Sequence, residues 1–154
     1  LIGLNTNLSI EKKAMTRSGL FLSGANLSLS GQELPNNTCD GILTAFEISK
    51  LDLSSVDLAV LSACKTGLGE VKSGEGIYGL QRGFKKAGVQ SIVMSLWEVD
   101  DDATQKLMAE FYENYLSGKS KRESLLKSQK VVRETPGFED PECWAGFILL
   151  DGLD

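Results

Sequence analysis

The residues best equipped for chemistry in this 154-residue chain stand where apolar runs end. Val56 to Gly69 reads VDLAVLSACKTGLG, an apolar run that closes on Cys64 and breaks at once into small residues and glycines. A free cysteine at a strand end is commonly a small buried hydrophobe. Here Ser62, Ala63, Thr66 and Gly67 keep its surroundings small and open, and Lys65 adds a positive charge that favours thiolate, as a nucleophile requires. The sequence alone leaves both readings open. It also contains no histidine, the usual base for such a thiol.

A second constellation is Ser95-Leu-Trp-Glu-Val-Asp-Asp101, at the end of another apolar run. An indole and a carboxylate beside a cysteine would line a pocket that reads a substrate side chain, with Ser95, Trp97 and Asp100 as the binding candidates. Asp100 and Asp101 are equally suited to capping a helix. A third is Gly74-Glu-Gly-Ile-Tyr-Gly79, a formal G-x-G-x-x-G with Glu98 at the end of the following strand. In a dinucleotide fingerprint the strand runs straight into the glycines, whereas here the loop 65–73 intervenes and Glu75 sets a carboxylate where a pyrophosphate must lie. No nucleotide or other cofactor is therefore expected.

Composition narrows the class. The chain is 42% hydrophobic and 24% charged, as a soluble globular domain is, and no apolar run approaches membrane-spanning length. A net charge of -5 disfavours nucleic acid and anionic membranes, which need clustered Lys and Arg. Cys39, Cys64 and Cys143 are odd in number and lack C-x-x-C spacing, so reduced thiols are expected, with neither a disulfide framework nor a metal site. Without a leader the chain reads as cytoplasmic, and Asn7, Asn26 and Asn36 stand in chance glycosylation triplets. Its start on Leu1 is consistent with a fragment of something longer.

The elements that must position these residues alternate in type. Residues 1–16 read as a lead-in loop, 18–22 as a short strand, and 23–41 as punctuation and surface loop. Thr44 and Glu47 form a capping box for a helix reaching about Lys50. The run 57–62 reads as a strand buried on both faces, and Ile77, Leu80, Phe84 and Ala87 recur at helical spacing up to Gly88. Val89 to Leu96 reads as a second buried strand, and Asp100 opens a helix whose inner face is Ala103, Leu107, Met108, Phe111 and Tyr115. Ser120 and Glu123 cap a further helix to about Arg133, and Trp144 to Leu150 closes as a strand. Alternating strands and helices predict an α/β fold with a largely parallel sheet, whose chemistry sits at the carboxyl ends of strands.

Taken in order, LTAFEISKLDL, VDLAVLSACKTGLGEV, GEGIYGLQRGFKKAGVQSIVMSLWEVDDDAT, FYENYLSG and CWAGFILLDG resemble the CHAT domain, a caspase-like family of cysteine peptidases often joined to tetratricopeptide repeats. The resemblance runs from about Arg17 to the end. It implies a caspase-like sheet flanked by helices, with Cys64 of the Ser-Ala-Cys motif as nucleophile and Ser95, Trp97 and Asp100 beside a bound peptide. It also implies a His-Gly base motif on an earlier strand. The chain then reads as one domain fragment, 1–154, incomplete on its amino-terminal side, with 17–154 as the carboxyl-terminal part of a CHAT domain. Lys65 departs from the acidic or amide residue usual after the cysteine, which bears on substrate positioning. The expected activity is peptide-bond cleavage by thiolate acyl transfer in the parent protein, with the isolated chain inactive for want of the base. Expected partners are a protein or peptide substrate, upstream tetratricopeptide repeats and, through apolar surface left by missing strands, a second copy. The alternative is a peptidase-like scaffold without catalysis.

Overall fold

The computed structural model describes residues 15–32, 34, 39–61 and 75–151, with the side chains of 75–77 outside that description. Their contacts fall into two compact units, residues 15–56 with 75–89 and residues 57–61 with 90–151.

In the first unit, β1 (Gly19–Phe21) and β2 (Ile42–Thr44) pair antiparallel, with Leu20 opposite Leu43. Three helices follow the chain: α1 (Ala25–Leu29), α2 (Ala45–Ile48) and α3 (Glu75–Lys86). Thr44 is both the last residue of β2 and the cap of α2. Its Oγ1 accepts from the Glu47 amide at 3.2 Å while its own amide donates to Glu47 Oε2 at 2.8 Å, so two orphan donors are satisfied reciprocally. That cap turns the chain straight from strand to helix and buries Ala45 and Ile48 against Met15, Leu80 and Ala87, with Leu20, Leu43, Leu53 and Phe84 around them. Gly88, at φ 101°, ends α3 and lies against the Ser54 backbone, where a side chain would meet it at 2.9 Å. The stretch 23–31, expected as loop, contains α1. It starts from Gly24 without a side-chain cap and holds its place through buried Ala25.

The second unit is a three-stranded sheet, β3 (Leu58–Leu61), β4 (Ser91–Ser95) and β5 (Phe147–Leu150), in that order, with α4 (Asp101–Leu116) and α5 (Lys121–Arg133). β3 and β4 run parallel, Leu61 beside Met94, and β4 and β5 run antiparallel, Met94 beside Ile148. All five residues of β4 are buried, as a strand flanked on both sides should be, whereas β3 is half-buried because its far side carries no described strand. The final strand begins at Phe147, three residues after the sequence suggested. Asp140 caps a 3-10 turn with Pro141 in its first position, and the amides of residues 143–145 bond back to Asp140 and Pro141 rather than to β4.

The two long helices supply the core. α4 turns Ala103, Leu107 and Phe111 inward, and they meet Leu125, Val132, Val93 and Phe147. Ser124 and Ser128 are fully buried between them, their hydroxyls bonded to carbonyls of their own helix at 2.8 Å each. Small, self-satisfied side chains there let the helix axes approach without orphaning a polar group. Two contacts fix the edges. Asp57, just before β3, accepts from Lys121 Nζ and from Tyr115 Oη at 2.6 Å each, tying the strand to the α4–α5 turn. Gln129 Nε2 donates to the carbonyls of Phe147 and Trp144 at 2.9 and 3.2 Å. Gly146 accepts from Leu96 across the ladder, so the Phe147 carbonyl alternates outward, and the α5 side chain covers it on the outer strand.

Both contacts make testable statements. The Lys121 and Tyr115 hydrogen bonds hold the Asp57 carboxyl below the ordinary carboxylate value. Burial alone would lower the Lys121 ammonium, but the hydrogen bond and charge of Asp57, with Tyr115 and Asp151, leave it raised, and Tyr115 is raised by its bond to Asp57. A depressed folded pKa stabilises above the ordinary carboxylate range, and that contribution is lost as pH falls through the folded value. The raised pair lose theirs only above about pH 10. Asp57→Asn is expected to cost about 1 kcal/mol at neutral pH, since the pair is partly solvent-screened. Thermal unfolding should show the gap to wild type narrowing as pH falls below the ordinary carboxylate value of about 4, and a gap that does not narrow at all refutes the electrostatic account. Gln129→Ala is expected to cost about 1–2 kcal/mol in denaturant unfolding by stripping two carbonyls of their donor. Sedimentation should show more self-association through the opened edge, and an unchanged monomer fraction would refute the edge-covering role.

Candidate functional site

The parallel register sets the site. Because Leu61 lies beside Met94, β3 and β4 reach their carboxyl ends together, and the chain beyond β4 enters the 95–100 segment there. Cys64, the nucleophile candidate, follows Leu61 by three residues and lies outside the described residues, as do Lys65 and the glycines 67, 69 and 74.

Ser95 is the last residue of β4 and is buried, 4% exposed. Its partner in the ladder is Phe147, a non-hydrogen-bonded pair given the Leu96 to Gly146 bond, so its backbone N–H and C=O point away from β5 toward the β3 side. Its Oγ is buried and has no hydrogen-bond partner among the described residues.

Trp97 stands just past the strand and is 40% exposed, yet its indole is held by two contacts at the Nε1 part of the ring. Its Nε1 donates to the Glu142 carbonyl at 3.0 Å, and its ring lies on Gly146, where a Cβ would sit 2.8 Å from Cε2. Only a glycine leaves room for the indole to lie there. Val99, two residues on, is buried in the helix core and anchors the loop. Asp100 then caps α4, its Oδ1 accepting from the Ala103 amide at 2.9 Å. The cap reading of Asp100 thus holds, and its carboxylate stays solvent-exposed beside the segment. Ser95, Trp97 and Asp100 are brought onto one strand-end segment, with the first turned in and the other two turned out.

An open cavity of about 520 Å³ is lined, among the described residues, by Trp97, Glu98, Pro141 and Glu142. Pro141 and Glu142 were not among the expected site residues. They come from a turn more than forty positions away in the chain, and the Asp-Pro pair that signals the turn gives no sign of what it faces. Cys143, on the same turn, is a poor nucleophile. Burial pushes its thiol up, and the carboxylates of Asp100, Asp140, Glu142 and Glu139 push it further, so it stays protonated where a reactive cysteine must ionise. Among the described residues no three acids or cysteines converge to hold a metal ion, and no helix is long and apolar enough to cross a membrane.

Comparison with known proteins places this geometry. The chain is 37% identical over 109 residues to tetratricopeptide repeat protein 28 of Mus musculus and 34% identical over 109 residues to that of Homo sapiens. Each match covers 71% of this chain, and the chain spans about 4% of the length of these curated relatives. No solved structure matches it. The model of the CHAT domain matches residues 4–152. Nearly the whole chain, both units and the strand-end segment included, thus carries that family's pattern, and the protein belongs to the CHAT domain family.

Proposed function

We propose that this chain is the carboxyl-terminal portion, 17–154 behind a lead-in, of a caspase-like cysteine peptidase domain, with Cys64 as nucleophile. Ser95, Trp97 and Asp100 border the bound peptide. The observation that carries the reading is the parallel pairing of β3 and β4. It ends both strands at the same end of the sheet, with Leu61, three residues before Cys64 in the sequence, beside Met94, three residues before Trp97. Carboxyl ends of parallel strands are where such sheets do their chemistry.

The reaction is acyl transfer. The Cys64 thiolate attacks the scissile carbonyl carbon, the carbon–nitrogen bond breaks, the amine leaves with a proton from the base, and water then hydrolyses the thioester. Backbone amides at the strand end stabilise the oxyanion. The base comes from outside this chain, which has no histidine. Without it a thiol of ordinary pKa near 8.5 is only a few per cent ionised at neutral pH, so the chain by itself is inactive. Tetratricopeptide repeats, for which both relatives are named, would govern the parent protein by protein–protein contact. A cytoplasmic setting with reduced thiols suits this chemistry.

A second reading, a peptidase-like scaffold for protein association, is favoured by one feature of the first unit. Phe21, Leu22, Leu27 and Leu29 are each 42–58% exposed around β1 and α1. The test is a peptide library incubated with the full-length parent, its Cys64→Ala form and the isolated chain. Cleavage by the parent, a loss on the order of 10³-fold or more in Cys64→Ala and silence from the isolated chain are expected. Cleavage that survives Cys64→Ala sinks the peptidase reading, and silence from a parent that still assembles with partners favours the scaffold.

A further inference from the structure

The cavity beside Trp97 has a chemical preference of its own. Its walls combine one aromatic face with carboxylates. The indole edge is already committed, through Nε1 to Glu142 and through the ring's contact with Gly146, so what remains open is part of the ring surface. Glu98 and Glu142 line the same space, and Pro141 closes it with an apolar surface. Asp100, Asp140 and Glu139 stand close enough to act on the neighbouring Cys143 thiol in the same sense as Glu142. Arg133 lies over the other tryptophan, Trp144, at 5.6 Å.

We propose that this cavity receives a cationic side chain of a bound polypeptide, arginine before lysine. The inference rests on the reading of the strand-end segment as a peptide site and names what that site selects. A cation over an indole face gains from the ring's negative quadrupole, and the carboxylates around it supply the charge that a neutral side chain would not use. A guanidinium fits better than an ammonium because it is planar, stacks on the indole and sheds water more readily, while still offering donors to Glu142. An aspartate or glutamate in the same place would meet like charge from Glu142 among the described residues.

The probes are three short blocked peptides that differ at one residue: arginine, its neutral isostere citrulline, and glutamate. They are titrated into the 154-residue chain while the indole N–H signals of its two tryptophans are followed by NMR, with the Trp97 signal assigned by Trp97→Phe. The arginine peptide is expected to move the Trp97 signal and to bind about tenfold more tightly than the citrulline peptide, the sum of a cation–π contact and a partly screened charge contact. Glu142→Gln, which leaves the Trp97 anchor on the Glu142 main chain in place, should weaken the arginine peptide about threefold and leave the citrulline peptide unchanged. Equal binding of arginine and citrulline, tighter binding of glutamate, or no movement of the Trp97 signal overturns the inference. Its fate is separable from that of the peptidase reading. A parent protein whose cleavage depends on Cys64 but ignores basic residues leaves the reading standing and removes this inference. Arginine-selective binding at Trp97 in a parent that cleaves nothing does the reverse.

Discussion

A strand buried along its whole length must have both edges paired, because each of its peptide groups would otherwise be an orphan in a dry interior. β4 meets that demand with a parallel neighbour on one side and an antiparallel one on the other, and most of the second unit follows from it. The parallel pairing sends β3 and β4 out at one end of the sheet. The antiparallel pairing brings β5 back from that end, so that Gly146 and the Asp140–Cys143 turn arrive next to the chain leaving β4. The Trp97 cavity is therefore a consequence of strand direction, assembled where two chain segments distant in sequence cross the same end of β4.

The opposite end of the sheet is closed by polar contacts rather than by a cavity. Ser91, buried at the start of β4, donates to Asp151 beyond β5, and Asp57 gathers Tyr115 and Lys121. Both carboxylates, Asp57 and Asp151, lie one residue outside a strand and are exposed, where an isolated contact contributes little. Their value lies in register. A one-residue slip of β3 along β4 would turn Leu58 and Val60, which pack on the helix core, to the other face. The amide of Ser91 on the carbonyl of Asp57, together with the Asp57 side-chain bonds, holds that position. The sheet is thus pinned at the amino-terminal end of β4.

What could be read from the sequence divides by range. Both capping boxes, Thr44 with Glu47 and Ser120 with Glu123, and the Asp100 cap are local chemistry, decided within four residues, and each stands as expected. The inner face of α4 was likewise legible from its period, although Met108 and Tyr115 are only partly buried. The misses are tertiary. α1 has neither a capping side chain nor a periodic face, and it exists because Ala25 finds a buried place. WAGFILL has the composition of one strand, yet a turn begun by Asp140 takes the amides of residues 143–145. For the site, the Ser95 to Asp100 segment was legible as a strand end, but Pro141 and Glu142 were not, since no short-range rule links them to Trp97.

This division explains how an exposed aromatic can serve as a fixed surface. A surface tryptophan on a loop ordinarily surrenders rotamer entropy when a ligand immobilises it, on the order of 1 kcal/mol of binding. Trp97 has surrendered that freedom on folding. Ser95 is locked into the ladder on one side, Val99 is sunk in the helix core on the other, and the indole between them is held by a carbonyl from the turn and by a glycine that leaves it room. None of these four restraints uses the outward face of the ring. A fixed indole at a strand end is thus a surface set by folding rather than by a ligand, and in this chain it is built from the strand directions of a single three-stranded sheet.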